Sequence, residues 1–134
     1  MVKLGLVLCS FLDEHPEVIS REALTLLDAR SKRGQDRPRA ELLRELHDTA
    51  ERLKIPNEVR GTVGVLVEFL KELRTRIGYA LYIREQAISE RDVVFLDDRF
   101  PVTVTKIQRD FHIQWRHPDG KKGHGAPTNV RKIY

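Results

Sequence analysis

A chain of 134 residues with 40% hydrophobic and 33% charged side chains has the length for one compact domain, or for a helical and a β part sharing a core, and is too apolar for a disordered segment. A net charge of +4 and a pI near 9.4 admit an acidic partner, while 20 carboxylates exclude a dedicated polycation. One cysteine, Cys9, excludes an internal disulfide scaffold and fits a reducing cytoplasm.

The charge is unevenly placed. Residues 1–55 are balanced and residues 56–91 carry a single excess cation, whereas residues 92–134 hold eight Lys and Arg against five Asp. Met1 to Leu12 is apolar on nearly every face, but no small-x-small cleavage site follows it, and Leu8 stands where a lipoprotein signal needs a small residue. It reads as a buried helix or strand, central in the packing. No stretch approaches the roughly 20 apolar residues of a membrane span, so no membrane partner is expected.

Pro16 suits a first helical turn, predicting a helix from Glu17 to Lys32 with Ile19, Ala23, Leu26 and Leu27 on one stripe. Ser31 to Arg39 has no apolar residue and reads as a loop, in which Lys32, Arg33, Arg37 and Arg39 face Asp36 alone; it is either a phosphate contact or a solvated connection. A helix from Pro38 to Lys54 follows, with Leu43, Leu46, Ala50 and Leu53 spaced 3, 4 and 3. Ile55-Pro56 ends it, because the residue before a proline is pushed out of helical geometry. The longest helix starts at Asn57 or Thr62 and runs to Ser89. Its Val59, Val63, Leu66, Leu70, Leu73, Ile77 and Ala80 alternate steps of four and three, the spacing of a packing seam. That seam serves a core helix or a homodimer.

From Asp92 onward the period changes to two. Val93 to Leu96, Phe100 to Ile107 and Phe111 to Arg116 read as strands, the third with Phe111, Ile113 and Trp115 on one face and His112, Gln114 and Arg116 on the other. Pro118-Asp119-Gly120 is a turn signal, Lys121 to His124 reads as a fourth strand, and Val130 to Tyr134 follows a tight turn at Pro127-Thr128-Asn129.

The succession of a short strand, Val102-Thr103-Val104-Thr105-Lys106-Ile107, Phe111-x-Ile113-x-Trp115, Pro118-Asp119-Gly120 and a closing Asn129-Val130-Arg131-Lys132-Ile133 resembles the SH3-like barrels of Tudor and KOW type, over about a third of the chain. The resemblance implies a small antiparallel barrel. It also implies binding of peptides, methylated side chains, RNA or large nucleic-acid machines, with no activity fixed by the fold. A methyl-lysine cage needs several aromatic walls, and here the core is expected to claim most of Phe95, Phe100, Phe111 and Trp115.

His112, His117 and His124 lie near Asp110 and Asp119, but spacings of five and seven match no familiar zinc pattern. No nucleophile or oxyanion hole is indicated either. Residues 114–134 carry five Lys and Arg against Asp119, a pattern suited to phosphates, with His112 or His124 free to stack on a base.

The expectation is therefore an α+β protein, with an N-terminal bundle of three to four helices over residues 1–91 and a small antiparallel SH3-like β module over residues 92–134. The expected function is non-catalytic: a cytoplasmic regulator, without metal or cofactor, that docks on a larger protein or ribonucleoprotein complex handling nucleic acid, such as a polymerase or ribosome. Direct RNA or DNA binding is the alternative. Arg116, Lys121, Lys122, His124, Arg131 and Lys132 are the contact candidates, and Trp115 and Leu70 are expected to serve folding.

Overall fold

Four α-helices precede a five-stranded antiparallel sheet among the described residues, giving the expected α+β class. A computed structural model of the chain describes residues 3–32 and 39–132, so the core of the expected basic loop, at 33–38, lies outside the described residues. The chain divides into two compact units, Met1–Ile77 and Gly78–Tyr134. The division falls inside the longest helix.

In the first unit the opening apolar stretch is helical, α1 at Leu4–Glu14. Leu8, Phe11 and Leu12 are buried, but Leu6 is 60% exposed, so this helix is not enclosed on every side as its composition predicted. Pro16 begins a single 3₁₀ turn, Pro16–Val18, and the next helix, α2 at Arg21–Lys32, starts four residues later than expected. Ser20 explains the delay. Its hydroxyl accepts the Ala23 N–H at 3.1 Å and satisfies one of the unpaired donors of the first turn, an N-cap worth about 1 kcal/mol.

Helix α3, Arg39–Arg52, ends in a left-handed residue, Lys54. The Ile55 N–H bonds back to the Ala50 carbonyl and the Lys54 N–H to that of Glu51, the paired closure of a Schellman end, with Ile55 buried beneath it. A 3₁₀ turn at Asn57–Val59 then leads to α4, Val63–Gln86, whose Thr62 hydroxyl accepts the Val65 N–H at 3.2 Å. Leu66, Phe69, Leu70, Leu73 and Ile77 of α4 are each at most 1% exposed. Phe69 meets Phe11 of α1 edge to face at 5.9 Å, and Arg74 hydrogen-bonds Asp28 of α2, which raises the guanidinium pKa further. Of the seam residues Val59, Val63, Leu66, Leu70, Leu73, Ile77 and Ala80, only Val63 is exposed and the rest are buried.

The second unit joins the last turns of α4 to a sheet of order β4-β3-β2-β1-β5. The strands are β1 (Val93–Leu96), β2 (Phe100–Ile107), β3 (Ile113–Arg116), β4 (Lys122–Gly125) and β5 (Val130–Lys132), with a 3₁₀ turn at Pro127–Asn129 before β5. One face of the sheet is the core: Val94, Val102, Val104, Ile113, Trp115 and Val130 are buried together with Ile88, and Tyr82 and Ile83 of α4 pack against them. The Tyr82 hydroxyl donates to the Val130 carbonyl at 2.5 Å, and burial lifts its pKa above the ordinary tyrosine value. Helix α4 closes as α3 does, with Ala87 left-handed, its N–H on the Arg84 carbonyl, and the buried Ile88 N–H on that of Ile83.

Phe111 departs from the expected alternation. It lies before β3 at φ +68°, its N–H on the Gln108 carbonyl at 2.9 Å, so it closes the β2–β3 turn and is only half-buried. The hairpin geometry demands a left-handed residue there, and the aromatic face pattern yields to it. Phe95 is also half-buried and Phe100 is 51% exposed, so of the four aromatics assigned to the core only Trp115 belongs to it.

Candidate functional site

The sheet's other face is built by register. Gln114 of β3 pairs with Lys106 of β2 on one side and His124 of β4 on the other, and Arg116 pairs with Thr103 and Lys122. Two rows therefore cross the three strands, Lys106–Gln114–His124 and Thr103–Arg116–Lys122, at about 7 Å from one another along the strands. These side chains lie on the sheet face opposite Val102, Val104, Ile113 and Trp115, and Lys106, Gln114, His124, Arg116 and Lys122 line an open groove of about 450 Å³ together with Thr105.

Lys106 reaches this face through a bulge. Strict alternation from Val102 and Val104 would turn it inward, but the register shifts between Val104 and Lys106, so that Thr105 and Lys106 together oppose Gln114. The alternation resumes with Ile107 against Ile113, on the core side. Across the groove the small residues of β4 have a different task. A Cβ at Gly123 would stand 2.5 Å from the Trp115 indole nitrogen, and one at Gly125 would stand 3.1 Å from its ring, so both glycines let β4 lie flat against the indole. Lys122 and His124, between and beside them, project outward.

Electrostatics set this face apart. None of the five strands contains an Asp or Glu. Lys106, Arg116, Lys122 and His124 have no ion pair with another described residue, whereas Arg60, Lys71, Arg74, Arg76, Arg131 and Lys132 all have one. Uncompensated cations gathered over a groove raise the local potential for an anion, as a scatter of paired ones does not.

The six residues singled out in the sequence separate into three groups. Arg116, Lys122 and His124 line the groove. Lys121 sits in the turn, its N–H held by Asp119, and Arg131 lies on the same sheet face but pairs with Asp98 at 3.2 Å. Lys132 is structural: its ammonium donates to the Ala87 carbonyl at 2.8 Å and meets Asp92 at 3.5 Å, bracing the end of α4. Sequence reasoning left out Lys106, Gln114 and Thr105; strict alternation turns Lys106 inward, and only the bulge brings it into the groove.

The three histidines go to separate places. His112 meets Tyr79 edge to face at 5.4 Å and Asp110 at 3.0 Å, so its ring is engaged; His117 lies against Phe100; His124 is exposed in the groove. Among the described residues no group of three or more His, Cys, Asp or Glu could hold a metal ion, and no helix is long and apolar enough to cross a membrane. Compared with known proteins, the chain matches no protein-family profile, no curated protein sequence and no solved structure.

Proposed function

We propose that this chain is a non-catalytic, cytoplasmic regulatory protein that docks on a macromolecular machine handling nucleic acid, such as a polymerase or ribosome, through the outward face of its sheet. The observation that carries the reading is the uncompensated set Lys106, Arg116 and Lys122, with the exposed His124 ring, around one groove on strands without a carboxylate. Machines of this class present phosphate and acidic surface in quantity, and such a face steers association toward them. The order β4-β3-β2-β1-β5, with a 3₁₀ turn before the closing strand, supports reading the sheet as an SH3-like module of the Tudor and KOW kind. That likeness bears on the fold and adds no activity.

Capture of partners from the source cell, with and without nuclease, tests the reading. The wild-type chain is expected to recover one large assembly in stoichiometric amount, and a Lys106→Glu, Arg116→Glu, Lys122→Glu variant with an unchanged thermal melt is expected to lose it. Recovery of the same assembly by both proteins would remove the sheet face from the account. Recovery of nothing by either, across several growth states, would defeat docking altogether.

A further inference from the structure

The groove's geometry selects among the anionic partners that its charge admits. It is open and floored by β2, β3 and β4, and its cations stand at separate points: Lys106 at one end of the first row, opposite the His124 ring, and Arg116 and Lys122 in the next. The step of about 7 Å between rows is also the kind of step a nucleic-acid backbone makes between successive phosphates. Reading the major groove of a duplex calls for a helix or a two-stranded ribbon that projects into it, and the face of a sheet does not project. A single strand, by contrast, lies along a charged groove with its bases turned to side chains that stack or hydrogen-bond.

We propose that the groove over β2, β3 and β4 binds a segment of single-stranded nucleic acid, with Lys106, Arg116 and Lys122 on its phosphates and Gln114 and His124 toward the bases. Gln114 stands at the centre of its row and carries both donors and an acceptor for a base edge, while the exposed His124 ring offers a stacking face. An acidic protein segment would satisfy the cations, but it would leave the Gln114 amide and the His124 ring without their complements. The inference rests on the docking reading above and names what the sheet face touches.

The experiment is a fluorescence-anisotropy titration of the full chain against labelled oligo(U), oligo(dT), a mixed-sequence duplex and a polyglutamate peptide, over a range of salt. Three phosphate contacts predict single-strand affinity that falls about 20-fold between 50 and 200 mM salt, at a slope near −0.7 per contact. Lys106→Ala, Arg116→Ala and Lys122→Ala should each flatten that slope by roughly 0.7, whereas Lys121→Ala in the turn should leave it unchanged. Comparing oligo(U) with oligo(dT) shows whether the ribose hydroxyl is read, and a preference for either is consistent with the site. Equal or tighter binding of the duplex, displacement of oligo(U) by polyglutamate at equal charge, or a slope insensitive to all three substitutions would overturn the proposal. If no single strand binds while the cellular assembly is still captured after nuclease treatment, this inference fails and the docking reading stands; failure of both assays removes both.

Discussion

Ala87 holds a backbone angle, φ +53°, that glycine adopts freely and alanine does not. Its side chain is exposed, so Ala87→Gly removes strain without emptying a packed site. The Schellman closure should then gain about 1 kcal/mol, read as a higher urea midpoint at unchanged slope. A lower midpoint would mean that the left-handed turn is not what ends α4. Gly123 makes the opposite case. A methyl group there meets the Trp115 indole at 2.5 Å, and Gly123→Ala should cost about 1–3 kcal/mol by overpacking. Unaltered stability would contradict the placement of the indole over β4. At this scale little was legible. Neither Ala87 nor Lys54 advertises a left-handed angle, and a glycine carries no periodic signal to tell a strand beneath an indole from a loop.

At the scale of elements, the apolar period found the helices and strands, and capping chemistry corrected their ends. Ser20 moved the start of α2, and Thr62 settled which of the two proposed starts α4 takes. The period of two failed at one place that matters, the bulge that turns Lys106 outward beside Thr105, since an inserted residue leaves no mark in a pattern of Val and Thr. The union of α4 with the sheet is testable through Tyr82. Tyr82→Phe should cost about 1 kcal/mol at neutral pH by orphaning the Val130 carbonyl. Burial raises the Tyr82 pKa, so the folded chain keeps this proton to higher pH than the unfolded chain does. Its stabilisation is whole below the unfolded tyrosine value of about 10 and is lost as pH rises through the folded value. Wild-type stability should therefore fall above that pH more steeply than that of Tyr82→Phe; parallel pH profiles would show that the hydroxyl is not buried as described.

At the scale of the whole molecule, the charge count of residues 92–134 located the candidate surface to within a module, and no count could do more. Net charge does not distinguish Lys132, which braces the end of α4, from Lys122, which faces the groove, because the difference lies in which strand face each occupies and whether a carboxylate stands opposite. A shared strand face together with the lack of a carboxylate partner, not charge alone, singles out Lys106, Arg116 and Lys122, with His124 beside them, as the surface on which the proposal depends. Backbone-amide NMR during titration with a single-stranded oligonucleotide tests that dependence most directly. The account predicts shifts concentrated at residues 103–106, 114–116 and 122–124, with those around Asp92, Ala87 and Lys132 nearly still. Shifts centred instead on the helices of residues 3–77, or spread evenly over every lysine and arginine, would contradict it.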